Sequence, residues 1–186
     1  DHLMIVDWKA FRKLTTAVGG VKVRIPRDVY DPSQDVRWEA GTYRLQGKKA
    51  LQYVRQRHGL PGGDLGRMRR QQNFMRSLLE KLMADGTLQN PVRLTRVVEA
   101  VSDNLVVDDG LSDADLRDLA LSARGLAAER VTFVTAPTKG LARRDGQSVL
   151  LPKVRQTRRL FTAMQSGRMK RFLERNDIGQ LPDRVR

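Results

Sequence analysis

Glycine punctuation constrains this chain more than any other single feature. Gly19-Gly20, Gly47, Gly62-Gly63 and Asp85-Gly86 cut its first half into short segments. Between them the apolar period switches between that of a helix and that of a strand. Leu3–Val6 is a short apolar run, a strand or a helix lead-in. Trp8, Phe11, Leu14 and Val18 then recur at three and four, predicting a helix that Gly19-Gly20 stops. Val21, Val23 and Ile25 alternate as in a half-buried strand before Pro26. Arg27–Glu39, with Pro32 and Ser33, reads as an irregular surface loop, and Gly41–Leu45 as a short extended piece. Lys48–Tyr53 reads as a short helix presenting Ala50, Leu51 and Val54 inward.

Leu60-Pro61-Gly62-Gly63 is a turn by composition, and Asp64 is placed to cap a long helix from Leu65 to about Ala84. The expected apolar stripe of that helix is Leu65, Met68, Met75, Leu79 and Leu82. Pro91 opens a further helix with Leu94, Val97, Val98 and Val101. Ser112 caps another, with Leu116, Leu119, Ala120 and Ala123 facing in. Val131–Val134 is expected as a buried strand, Ser148–Leu151 as a second, and Pro152 as the start of a helix through about Met164. Strands alternating with helices predict an α/β fold, a layered α-β-α sandwich around a mixed sheet. Residues 85–165 are expected to complete one domain with residues 1–84, leaving 166–186 as a basic tail. A strand beginning almost at Asp1 reads as mid-domain sequence, so the chain is expected to be a fragment.

Composition narrows the chemistry. The 186 residues include no cysteine, which excludes disulfides, a thiol nucleophile and thiolate metal sites. Two histidines, His2 and His58, leave no material for a multi-His zinc centre. The 35 Lys and Arg against 21 Asp and Glu give +14, and the excess is uneven. Between Arg55 and Arg76 stand six arginines and one acid, Asp64; from Leu151 to the end, ten basic residues and three acids. An anionic partner is implied: phosphate, nucleic acid or acidic headgroups. Solvated charged faces are the plainer alternative, and for the tail the two readings stand level.

For Arg55–Arg76 the spacing favours a site. If the chain is extended after Val54, Arg55 and Arg57 project to one side. On the helix opened by Asp64, Arg67 and Gln71 are four apart on one face with Arg70 beside them. The tight turn returns that helix start towards Arg55 and Arg57. Three or four guanidiniums are thus expected around one pocket, where the helix dipole also favours an anion. Planar guanidinium forks grip phosphate oxygens two at a time and keep their charge, so a pyrophosphate is the natural occupant. The competing arrangement pairs these arginines with Asp64 and Glu80, acids too few to neutralise six.

At these residues the chain resembles the LytR–CpsA–Psr family of cell-wall glycopolymer transferases, over about residues 1–165. The resemblance rests on Asp1–Val6 with Asp7 and Phe11, on Gly19-Gly20-Val21 with Val23 and Pro26, and on Gly41, Leu45, Gly47, Ala50 and Leu51. Tyr53-Val-Arg-Gln-Arg-His58, Asp64-Leu-Gly-Arg67 and Arg70-Gln71-Gln72 carry most of it, and Val131–Pro137 and Gly146–Pro152 look like later parts of actinobacterial members. The family implies an enzyme anchored in the cell membrane by a single pass, with its catalytic domain outside. It moves a phosphoglycan from a polyprenyl-pyrophosphate carrier to a peptidoglycan acceptor and uses a divalent cation, usually Mg2+. Matching positions imply that Arg55, Arg57, Asp64 and Arg67 are catalytic. Arg55, Arg57, Arg67, Arg70 and Gln71 are implied to hold the pyrophosphate, with Asp64 orienting an arginine or completing the polar site.

The resemblance also implies that the metal-binding aspartates and the membrane helix lie ahead of Asp1. The chain by itself is therefore expected to hold no metal ligands and to be inactive. Ile25-Pro26-Arg27-Asp28 mimics one upstream motif but follows Gly-Gly-Val where the family has it before, and reads as coincidence. His58 is expected to hydrogen-bond in a turn more than to shuttle protons. The rival from another class is a basic nucleic-acid-binding module. Only 5% of residues are aromatic, against single-strand binding by stacking, and no nucleic-acid partner is expected. An anionic membrane surface remains a candidate partner for the tail.

Overall fold

In the computed structural model of the chain, which describes residues 3–87, 90–102, 104–122, 131–176 and 178, Asp7 starts the first helix. Its carboxylate accepts the Ala10 N–H at 2.6 Å, so α1 (Trp8–Ala17) follows directly on strand β1 (Met4–Val6). Gly19 and Gly20 at φ of 70° and 84° then turn the chain into β2 (Val21–Ile25), whose residues alternate buried and exposed. The segment expected as a loop is a hairpin instead, β3 (Val29–Asp31) against β4 (Val36–Trp38). Two things make it one. Val29 and Trp38 are buried opposite each other, and Asp35 takes the left-handed conformation at φ 48° that closes the turn. Asp28, part of the stray motif, accepts the Ala40 N–H at 2.7 Å and so braces the base of the hairpin.

β5 (Gly41–Leu45) returns to pair antiparallel with β2, Val21 opposite Leu45. α2 (Gly47–Arg55) follows, and the buried Thr15 hydroxyl accepts the Gly47 N–H at 3.0 Å, tying its start to α1. The long helix α3 (Asp64–Ala84) has the expected length with a different inward face. Arg70, Phe74 and Leu78 are its buried row, while Met75 is 44% exposed. That row lies about 120° around the helix from the centre of the expected stripe. Phe74 decides the rotation: it is fully buried in an aromatic chain running Phe11–Phe74–Tyr53–Trp38, with ring centroids 5.4 to 6.1 Å apart.

α4 (Pro91–Ser102) packs on α1, with Leu94 buried and Val97 against the core, and β6 (Leu105–Val107) pairs with β1. Ser112 and Asp115 form a reciprocal capping box for α5 (Asp113–Ser122). Leu116 is buried there, but Leu119 is 58% exposed, against expectation. The side chains of Val101 and Ala120, and all of Ala123, lie outside the described residues.

The chain divides into two compact units between Val131 and Thr132. Residues 91–122 thus belong with the first unit, a boundary with no mark in composition. Val131–Val134 is not a strand; it carries a single bridge at Val134. The second unit is built on a hairpin, β7 (Thr138–Arg144) with β8 (Gln147–Pro152). Its turn is Asp145-Gly146, both at positive φ, the type I′ geometry that matches strand twist. α6 (Val154–Gln165) and α7 (Met169–Arg175) follow, so the basic tail begins as a helix. The α/β class stands. Among the described residues the strands pair antiparallel in four two-stranded sheets rather than in one mixed sheet.

Candidate functional site

Between α2 and α3 the chain must reverse within eight residues, and glycine makes the reversal possible. Gly59, at φ 73°, lies so close to β3 that a Cβ would stand 2.6 Å from the Tyr30 carbonyl oxygen. Gly66, inside the first turn of α3, packs on the loop, where a Cβ would stand 2.4 Å from the Pro61 carbonyl oxygen. Gly63 occupies the N-cap position, and Asp64 is therefore the first residue of α3 instead of its cap. Freed from capping, the Asp64 carboxylate turns to the arginines. Its Oδ1 lies 3.1 Å from Arg57 Nε and 3.1 Å from Arg67 Nη2. Both are ion-pair contacts without an aligned hydrogen bond, since Oδ1 is shielded from solvent and accepts none. The three side chains stay 35 to 56% exposed, so the cluster is open to a solute.

Arg55 is the last residue of α2 rather than part of an extended segment. Its guanidinium lies 5.4 Å over the Trp8 ring, a cation–π contact that holds the exposed side chain against α1. Arg70 is not in the open cluster. It is buried, donates to Gln56 Oε1 and stacks 4.4 Å over the Tyr53 ring. Burial pushes its pKa down, and the charges of Tyr53 and Asp31 oppose that shift. Gln71 donates to the Val54 carbonyl at 3.2 Å, bolting α3 to the end of α2. Of the six expected residues, the structure brings together Arg57, Asp64 and Arg67. It sets Arg55 on Trp8 and turns Arg70 and Gln71 inward as supports. His58 is exposed, and its carbonyl accepts from Gln56 Nε2 at 3.1 Å.

Two buried polar residues were missed in sequence. Gln56 is fully buried and links Arg70 to the backbone of His58. Asp31, also fully buried, accepts from the Ser33 N–H at 2.9 Å, the Ser33 hydroxyl at 2.6 Å and Gln34 Nε2 at 3.1 Å. Burial alone would raise the Asp31 pKa. The bonds from Ser33 and Gln34, with the backbone of Arg57, outweigh it and hold the carboxyl below its ordinary value. The hairpin is thereby fastened to the backbone that carries Arg57. A faint signal existed: Asp-Pro-Ser is the sequence of an Asx turn.

What the cluster can do follows from its charges. Two guanidiniums converge on one carboxylate oxygen and leave a net positive, partly exposed centre at a helix start. It can bind an anion with several oxygens. Among the described residues no group of three or more His, Cys, Asp or Glu is placed to hold a metal ion. The divalent cation implied by resemblance does not fit the donors present among them. No helix among them is long and apolar enough to cross a membrane.

Known proteins resemble this chain over most of its length. The model of the LytR_cpsA_psr family matches residues 1–166. The cell wall biosynthesis protein LcpA of Corynebacterium glutamicum is 39% identical over 163 residues, covering 87% of this chain and 31% of LcpA. The polyisoprenyl-teichoic acid–peptidoglycan teichoic acid transferase TagU of Enterococcus faecalis is 30% identical over 128 residues, 67% of this chain and 39% of TagU. Among solved structures, the LytR-Csp2A-Psr enzyme from Actinomyces oris superposes with a TM-score of 0.66 at 29% identity, covering 87% of this chain and 62% of that one. Bacillus subtilis TagV gives a TM-score of 0.69 at 20% identity, covering 90% and 64%, a likeness of fold. The chain spans about a third of the length of these curated relatives.

Proposed function

Since the chain belongs to the LytR_cpsA_psr family, we propose that it is part of a cell-wall transferase that attaches an anionic glycopolymer to peptidoglycan. In this reading the donor is the glycopolymer on a polyprenyl-pyrophosphate carrier, and the protein works at the outer face of the cell membrane. The names of its relatives support the class: LcpA is a cell wall biosynthesis protein, and TagU a teichoic acid–peptidoglycan transferase. One observation carries the assignment to residues, the convergence of Arg57 and Arg67 on Asp64 Oδ1 at 3.1 Å each. A diphosphate offers the same oxygens with more charge, so it competes for the two forks.

Transfer requires the acceptor hydroxyl to attack the phosphorus that bears the glycan. The P–O bond to the polyprenyl phosphate breaks, the hydroxyl proton passes to solvent, and polyprenyl phosphate leaves carrying the added negative charge. Catalysis of such a step is mainly positioning and charge stabilisation. Arg57 and Arg67 supply the charge, and Asp64 holds both forks at one point before substrate arrives. Arg55, steadied by Trp8, is the third cation available to the donor. Mg2+ belongs to the proposal through the family alone.

The test is covalent transfer. Protein containing this chain, given a polyprenyl-pyrophosphate-linked oligosaccharide, Mg2+ and peptidoglycan, should form insoluble labelled product. Arg57→Ala and Arg67→Ala should each lower the rate about tenfold or more, since each removes a charge-assisted contact. Unchanged transfer by both variants overturns the assignment.

A further inference from the structure

Arg57 carries one of the two forks of the clamp, yet its side chain is 56% exposed. A guanidinium so open to water keeps much of its rotamer freedom, so the backbone that bears it must do much of the aiming. Buried polar groups hold that backbone from two sides. The Arg57 N–H donates to the Asp31 carboxylate, and the His58 carbonyl accepts from Gln56 Nε2 at 3.1 Å. Arg57 therefore stands between two fastened peptide groups. Asp31 and Gln56 are both fully buried, so water does not compete for either bond.

Asp31 also serves its own hairpin, through Ser33 and Gln34. Gln56 spends both ends of its amide on the segment beside Arg57, and the orientation of that amide is forced. A guanidinium has only donors, so Oε1 faces Arg70; a carbonyl has only lone pairs, so Nε2 faces His58. Arg70 is a buried post on α3, stacked 4.4 Å over the Tyr53 ring, and α3 also bears Arg67. The amide thus ties the backbone of one fork to the helix that carries the other. We propose that Gln56 is a positioning residue of the diphosphate site: by joining Arg70 to the His58 carbonyl, it sets the separation of the Arg57 and Arg67 forks. It touches no substrate and acts through Arg57. This role rests on the diphosphate reading given above.

Gln56→Glu is the discriminating substitution. Glutamate keeps the shape and accepts from Arg70, but it has no N–H for the His58 carbonyl. Calorimetric titration of the full chain with farnesyl pyrophosphate then makes a double-mutant cycle with Arg57→Ala. With Arg57 present, Gln56→Glu should raise the dissociation constant about tenfold, the effect of a displaced fork. In the Arg57→Ala background the same substitution should change it by less than about twofold. A merely structural role, or the added negative charge by itself, would weaken binding equally in both backgrounds. Gln56→Met with Arg70→Met removes both partners together and leaves no guanidinium without its acceptor. That pair should show the same dependence on Arg57, and it carries the test if Gln56→Glu does not fold. No binding by wild type, or an Arg57→Ala variant as tight as wild type, would refute the diphosphate site and this role with it. A weakened Arg57→Ala beside an unaffected Gln56 variant, or equal losses in both backgrounds, would overturn the role of Gln56 alone.

Discussion

A carboxylate oxygen held between two guanidiniums is an electrostatic clamp, and Asp64 makes one from neighbours on both sides of a turn. Because the three side chains are partly exposed, the pairs add little to stability, on the order of 1 kcal/mol or less. Asp64→Asn should therefore melt close to wild type. With the competing negative charge removed, its affinity for pyrophosphate should hold or rise, while transfer falls because the two forks are no longer aligned. Parallel loss of binding and transfer, measured by titration and by product formation, would refute that division of roles. Asp31 acts in the opposite way, on stability first. Its pKa is lower in the folded chain than in the unfolded one, so the unfolded state binds the proton more readily. The stabilisation is present above the unfolded value, about pH 4, and is lost as pH falls through the folded one. Asp31→Ala should cost about 3 kcal/mol at neutral pH, having removed a buried charged acceptor. Urea midpoints across the acid range should then show a shallower decline for the variant. A decline as steep as wild type would contradict this. Arg57, Asp64 and Arg67 were legible in sequence because their spacing across a tight turn forces them together. Arg70 was misplaced because spacing shows which residues share a helix face, but not which way that face is turned.

The rotation of α3 is settled at the scale of elements. Phe74 is fully buried among Phe11 and Tyr53, and Arg70 and Leu78 share its row. Met75 and Leu79 made an equally apolar pattern in sequence, but an aromatic partner on α2 decides between them. Phe74→Ala should destabilise by about 3–5 kcal/mol, whereas Met75→Ala, on the exposed side, should cost well under half of that. Comparable losses in chemical denaturation would disprove the assigned face. The α2–α3 loop is similarly specific. Gly66→Ala drives a methyl group into the Pro61 carbonyl, which backbone cannot yield cheaply. It should lower pyrophosphate affinity without touching any charged group, by displacing the first turn of α3. An unaffected affinity would show that the loop does not position the clamp. The hairpin at 29–38 escaped sequence reading because its strands are only three residues each and its turn hides behind Pro32. β7 escaped although Asp145-Gly146 is a strong hairpin signal; Gly140, at φ 103° within a register shift, interrupts its alternation.

At the scale of the molecule, two units carry two separate concentrations of arginine. The first gathers its cations around a turn, where Asp64 and a buried polar network of Asp31, Gln56 and Arg70 fix them. The second spreads them along two helices. The overall count of +14 conceals this difference. The central claim concerns the first concentration: Arg57 and Arg67 form a diphosphate site. Its most direct test is calorimetric titration of the chain with farnesyl pyrophosphate, beside the variant carrying Arg57→Ala and Arg67→Ala together. Wild type should bind the diphosphate more tightly than farnesyl monophosphate, and the double variant should lose about a hundredfold or more in affinity. Binding of equal strength by wild type and the double variant would contradict the account.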